Sequence, residues 1–194
     1  TVCSYDRYNE DFSSIKVRSQ NIKIEYSLYY DYILKLVSFN LPTILFSREC
    51  LKGYTLNEKL LKSQEYEFLQ RILRNIQNDF SILKRSLVKV RRHKKSITGL
   101  MTDKKLNSLL MASEITLNEL PTEAPNEIKR KLFFIHIQNL KIAYLKKSTK
   151  LFFRYLFNLS NFFLLHKLVY SLLYIIFNFS NRGQMLFNKF QRNI

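Results

Sequence analysis

The chain is poor in the residues that break regular structure: only three Gly and three Pro occur among 194 residues, and Trp is absent. Such a composition excludes collagen, flexible linkers and turn-rich β-sandwiches. The glycine-dependent GxGxxG, Walker A and GxSxG signatures do not occur either, which excludes the nucleotide loops and hydrolase elbows that they mark. A hydrophobic content of 46%, with 14% aromatic residues, nevertheless supplies ample side chains for a folded core.

Residues suited to catalysis or metal binding are scarce and scattered. The two cysteines, Cys3 and Cys50, lie far apart in the sequence. The three histidines, His93, His136 and His166, have no companions at the spacing of a metal site or a catalytic triad. We therefore expect no enzyme, no metal site and no cofactor.

Carboxylates are missing from the last third of the chain. Glu127 is the last of the 15 Asp and Glu residues, and the following segment, 128–194, contains twelve Lys and Arg residues and no acid. A folded surface normally mixes both signs, because charges of one sign repel each other. The acid-free segment therefore predicts a polyanionic partner, either RNA phosphates or anionic lipid head groups.

Helical spacing of the apolar residues predicts a mainly α fold. Its main feature is a long amphipathic helix over about 56–95, preceded by a capping box at residues 55–58. A heptad-like seam, typical of a dimeric coiled coil or of packing against neighbouring helices, runs along this helix. The seam consists of Tyr66, Leu69, Leu73, Ile76, Phe80, Leu83, Leu87 and Val90.

Further segments are predicted before and after this helix. We expect an extended N-terminal arm over 1–23 and a helical domain over 24–120, with further helices at about 25–39 and 102–113. Pro121 and Pro125 bound a linker at 121–125, after which a basic region of apolar helices covers 126–194. Residues 126–150 fit a helix or, around the apolar run 132–137, a buried strand.

Residues 151–179 raise the question of a membrane. The segment is dense in Phe, Leu, Ile and Tyr, but Arg154, His166 and Lys167 interrupt it. The uninterrupted apolar stretch 168–177 is about half of the roughly 20 residues that a membrane span requires. A buried helix or hairpin is favoured, with a transmembrane span and an interfacial helix as alternatives.

Two clusters of cations are the candidate binding residues, because Arg and Lys supply the donors that phosphates bind. Aromatic residues lie between the members of the second cluster, and we expect these rings to be core residues rather than platforms for bases. The first cluster comprises Lys84, Arg85, Lys89, Arg91, Arg92, Lys94, Lys95, Lys104 and Lys105, and the second comprises Lys129, Arg130, Lys131, Lys146, Lys147, Lys150 and Arg154.

These features lead to a hypothesis about function. The basic clusters indicate a structural, non-catalytic RNA-binding component of a large ribonucleoprotein. Together with the acid-free segment and the apolar helices, they favour a mitochondrial ribosomal protein that contacts rRNA phosphates. The bias toward Phe and Tyr without Trp is typical of AT-rich genomes, which include some mitochondrial genomes. Neighbouring proteins would bind through 66–90 and 151–179. The alternatives are an accessory subunit of a mitochondrial inner-membrane complex, with 151–179 in or against the membrane, and a coiled-coil adaptor.

Overall fold

The computed structural model describes residues 1–8, 15–18, 23–76, 80–91, 102–158 and 164–180. The fold is mainly α, as the apolar spacing predicts, and a small β-sheet accompanies the helices. The chain divides into two compact units, unit 1 over Thr1–Lys105 and unit 2 over Leu106–Ile194. Arg92, Lys94 and Lys95 of the first predicted cluster lie outside the described residues.

Unit 1 contains a three-stranded sheet in the order β2-β1-β3. The central strand β1 (Val2–Tyr8) pairs antiparallel with β2 (Ile15–Arg18) and parallel with β3 (Ile82–Arg91). Four hydrophobic side chains of β1 are buried: Val2, Cys3, Tyr5 and Tyr8. The predicted N-terminal segment therefore contributes the core strand of the sheet.

The predicted long helix over 56–95 is wrong. Residues 55–58 do not form a helical capping box, and α3 covers only Gln64–Asn75, after which Ile76 is extended. The second half of the seam belongs to β3, where the β-branched residues Val88 and Val90 favour a strand. Because a coiled coil needs a continuous helix, the seam gives no basis for one.

The remaining described helices of unit 1 are short, and the first of them packs beside α3. They are α1 (Leu28–Ile33), a single 3₁₀ turn at Leu41–Thr43 and α2 (Arg48–Leu51). Leu28 and Ile33 of α1 are buried, as are Leu69 and Ile72 of α3. Helix α1 is much shorter than the predicted helix at 25–39, because Lys35 adopts a left-handed conformation (φ 61°) that ends it.

Unit 2 is helical in all its described elements. They are α4 (Asp103–Asn118, which begins in unit 1), α5 (Asn126–Leu145), α6 (Thr149–Phe157) and α7 (Leu164–Ser180). The helical interpretation of 126–150 is thus confirmed for α5. Within the part of the chain that is described, none of the helices combines the length and apolarity needed to cross a membrane.

Candidate nucleic-acid interface

The first four members of the first cluster lie on a strand rather than at the end of a helix. Lys84, Arg85 and Lys89 are exposed on β3, and Arg91 is its last residue. In the described sheet β3 is an outer strand, so one of its edges faces away from β1. The cations therefore cannot be explained by the negative end of a helix dipole, which accounts for some cations at helix C-termini.

An irregularity in the pairing explains why two consecutive cations are both exposed. Cys3 lies opposite Leu83 and Tyr5 lies opposite Val88, so a short step on β1 corresponds to a longer stretch of β3. Extra residues of this kind form a bulge that changes the direction of the side chains. The bulge contains both Lys84 and Arg85, which would point to opposite faces of a regular strand.

Contacts with β1 position Lys89, the last in sequence of the three exposed cations on β3. The Lys89 Nζ lies 5.7 Å from the centroid of the Tyr8 ring, a cation–π distance. Asp6 is paired in register with Lys89, so one carboxylate stands beside this cation. At the first of the three, the Ser4 hydroxyl donates a hydrogen bond to the Lys84 carbonyl at 3.4 Å. These contacts could not be predicted from local sequence patterns, because β1 lies about eighty residues before β3.

The last two members of the first cluster lie at the start of α4. The Lys104 side chain is exposed and that of Lys105 is half-buried. The backbone N–H of Lys105 donates to the Thr102 hydroxyl at 3.3 Å, which satisfies one of the open amides at this helix start. The positive end of the helix dipole disfavours cations at an N-terminus, so stabilisation of α4 does not explain why these two residues are lysines.

The structure divides the second cluster into two groups at the ends of α5. Lys129, Arg130 and Lys131 lie in its first turns, whereas the other group begins at Lys146, just past its C-terminal end. A rise of 1.5 Å per residue separates the two groups by about 24 Å. No single small anion contacts both, but a long polyanion would.

Two of the three cations at the start of α5 are occupied within the fold. The Lys129 ammonium donates to the Thr122 carbonyl at 2.9 Å, and Lys131 forms an ion pair with Glu127 at 2.8 Å. Arg130 is exposed. Fewer cations of this group are therefore available to bind a polyanion than the sequence indicates.

The group after α5 is more accessible. Lys146, Lys147, Lys150 and Arg154 are all exposed, and we call them the 146–154 cations. Lys150 and Arg154 lie one turn apart on α6, and the Arg154 guanidinium lies 5.4 Å from the centroid of the Tyr155 ring. Lys147 is left-handed (φ 52°), and its N–H donates to the Tyr144 carbonyl at 3.0 Å, which completes the C-cap of α5.

The aromatic residues of the second cluster are mostly core residues, as expected. Phe133, Tyr144 and Phe152 are buried. Phe152 stacks on Tyr174 of α7 at a centroid distance of 4.4 Å, and Tyr144 contacts the same ring edge-on. These rings hold α5, α6 and α7 together and are not available to stack on bases.

His136 is a titratable residue that is buried in the core of unit 2. Burial lowers the pKa of His136 to about 4, so this side chain is neutral near pH 7. Among the residues that the structure describes, no group of three His, Cys, Asp or Glu side chains is placed to hold a metal ion.

Comparisons with protein-family models, with curated proteins and with solved structures give no match for this chain.

Proposed function

We propose that this protein is a structural, non-catalytic RNA-binding component of a large ribonucleoprotein, specifically a mitochondrial ribosomal protein that contacts rRNA phosphates. The observation that carries the proposal is the exposed row Lys84, Arg85 and Lys89 on the outer strand β3. An extended strand rises about 3.3 Å per residue, which spreads the row over at most about 17 Å. Each cation can thus meet a different phosphate.

The charge balance of the chain supports the same partner. The formal net charge is +17, and the described part of the acid-free segment adds the exposed 146–154 cations. Neutralising phosphates releases condensed counterions, and this favours binding to a polyanion over binding to a scattered set of carboxylates. Contacts of this type recognise the backbone and its shape rather than base edges.

A salt titration of RNA affinity tests the row on β3. The variant Lys84→Gln/Arg85→Gln/Lys89→Gln removes three cations from exposed positions. We expect the slope of log affinity against log salt concentration to fall by about 2 to 3 units for single-stranded or double-stranded RNA. Filter binding or fluorescence anisotropy over a range of KCl concentrations measures the slope.

The matched control removes the same charge elsewhere in unit 1. Lys23, Lys52 and Lys59 are also exposed, and Lys23→Gln/Lys52→Gln/Lys59→Gln has the same net charge as the β3 variant. A general electrostatic attraction lowers the slope equally in both variants, and that result would overturn the β3 interface.

Membership of a ribonucleoprotein is tested on the native protein. Extracts of detergent-solubilised mitochondria are separated by sedimentation with and without RNase. We expect the protein in a heavy, ribosome-sized fraction that becomes light after RNase. If it stays heavy after RNase and moves with respiratory-complex markers, it is a subunit of a membrane complex instead.

A further inference from the structure

Helix α7 has an apolar face on its outer side. Four of its residues are 41–59% exposed although they are large and apolar, and we call them the α7 stripe: Leu168, Leu172, Ile175 and Ile176. Their spacing of four, three and one residues places them on one face of the helix. The opposite face, with Tyr170, Leu173 and Tyr174, is buried.

Two further large apolar residues of unit 2 are exposed at the ends of helices. Leu145 at the end of α5 and Phe157 at the end of α6 are 42% and 58% exposed. Single exposed hydrophobic residues are ordinary on protein surfaces, but a contiguous group on one helix marks an interaction site.

The contacts of Tyr174, on the buried face of α7, place the start of α6 beside the C-terminal half of this helix. The Tyr174 and Thr149 hydroxyls are 2.7 Å apart, so the start of α6 lies beside the part of α7 that contains Ile175 and Ile176. Lys150 is the next residue after Thr149, and Lys146 and Lys147 precede it closely in sequence. Exposed apolar and cationic side chains therefore occur at the same end of this helix pair.

The occupant of such a surface must be both apolar and anionic. RNA supplies phosphates but no apolar partner for Leu and Ile. A second copy related by two-fold symmetry would bring the 146–154 cations of both chains together, and like charges repel.

We propose that unit 2 binds peripherally to the surface of an anionic phospholipid bilayer. The α7 stripe enters the boundary between head groups and acyl chains, and the 146–154 cations contact the lipid phosphates. Apolar area and charge act together in such binding, since a single weak contribution gives only marginal association. This inference stands independently of the RNA interface on β3.

Vesicle cosedimentation of the full chain tests the proposal. The vesicles consist of phosphatidylcholine alone or of phosphatidylcholine mixed with phosphatidylglycerol. We expect binding to the mixed vesicles that falls as salt is added, and weak binding to phosphatidylcholine alone. Absence of binding to the mixed vesicles, or equal binding to both, overturns the proposal.

Variants separate the two parts of the surface. Leu172→Gln/Ile176→Gln is expected to lower the partition coefficient at least tenfold, because both side chains lose their apolar contact with the bilayer. Lys150→Gln/Arg154→Gln is expected to lower it about fivefold for each charge removed. All four residues are exposed, so the variants should keep the wild-type circular dichroism.

Matched controls complete the design. Leu45 and Leu61 are exposed apolar residues of unit 1, and Leu45→Gln/Leu61→Gln should leave vesicle binding unchanged. Equal losses in this control and in the α7 variant would contradict a specific surface. Self-association that depends on Leu172 in the absence of lipid would show that a second protein chain covers the stripe. The α7 variant should keep its RNA affinity, and the β3 variant its vesicle binding, so failure of one proposal is distinguishable from failure of the other.

Discussion

Units 1 and 2 stabilise their helices with different chemistry. In unit 1 buried carboxylates act as internal acceptors: Asp31 accepts the backbone amides of Glu25 and Tyr26, and Glu67 pairs with Arg71 at 2.6 Å. In the core of unit 2 the helices are held by aromatic stacking and by neutral hydrogen bonds, such as that from the Asn139 amide to the Ser113 hydroxyl at 2.6 Å. A region after Glu127 that has no carboxylates can still form a core, because rings and amides replace the ionic acceptors.

The strongest test of this contrast is removal of the buried carboxylate. Asp31→Ala leaves two amides without their acceptor, at donor distances of 2.7 and 3.1 Å, and we expect a loss of about 2–4 kcal/mol in the free energy of unfolding. Urea unfolding followed by circular dichroism measures the loss. Asp31→Asn keeps an acceptor oxygen and should lose less. Amide hydrogen exchange should accelerate in α1 and α3 and change little in α5, and equal acceleration in both units would contradict the contrast.

Lowering the pH tests unit 2. His136 has a pKa of about 4 in the folded chain and an ordinary value of about 6.5 when unfolded, so the unfolded chain binds its proton first. The contribution of the neutral His136 side chain to the free energy of unfolding is complete above about pH 6.5. It is lost as the pH falls through the pKa of the folded chain. Between pH 7 and pH 5 this amounts to about 2 kcal/mol.

Thermal unfolding of wild-type and His136→Phe at several pH values isolates that contribution. The difference between the two proteins should depend on pH below about 6.5, and a constant difference would show that His136 is not the responsible group.

The smallest expected effect concerns a left-handed helix C-cap that occurs in both units. Lys35 and Lys147 are left-handed at the C-terminal ends of α1 and α5, where Gly is usual. The next residues complete the motif, with Leu36 N–H on the Asp31 carbonyl and Ser148 N–H on the Ala143 carbonyl. Lys35→Gly and Lys147→Gly should each stabilise the chain by about 0.5–1 kcal/mol, because Gly adopts this conformation without steric cost.

The two glycine variants should differ in binding. Lys147→Gly removes one of the 146–154 cations and should weaken vesicle binding, whereas Lys35→Gly should leave it unchanged. Lys146→Gly is the control for stability, since Lys146 has φ −82° and gains nothing from glycine. Equal stabilisation by all three variants would exclude the left-handed conformation as the cause.

The sequence predicted unit 2 better than unit 1, for a physical reason. Helices depend on local spacing, and the apolar pattern of α4 and α5 shows it within a few turns. The apolar seam residues of β3 are spaced three and four residues apart, as in a helix, but their structure depends on pairing with β1 about eighty residues away. Periodicity within one segment contains no information about such a partner.

The candidate site shows the same limit. Lys84, Lys89, Lys150 and Arg154 are exposed, which a polyanion interface requires, and their role in binding stays a prediction. Their arrangement could not be predicted from the sequence: α5 separates the two groups of the second cluster, and Lys84 and Arg85 lie together in a bulge of β3. The α7 stripe was also missed, because sequence alone does not show which face of a uniformly apolar helix the core covers.

The parallel pairing of β1 with β3 has a consequence for the order of events during synthesis. Val2 pairs with Ile82, so about eighty residues must be added to the growing chain before the two strands can meet. At ordinary elongation rates this interval is on the order of 4 to 16 s. The helices of unit 2 form through contacts between residues that are close in sequence. The β1–β3 pairing cannot form until both strands have been synthesised. Until Ile82 has been added, the apolar side chains of β1 therefore remain without the strand that pairs with them in parallel.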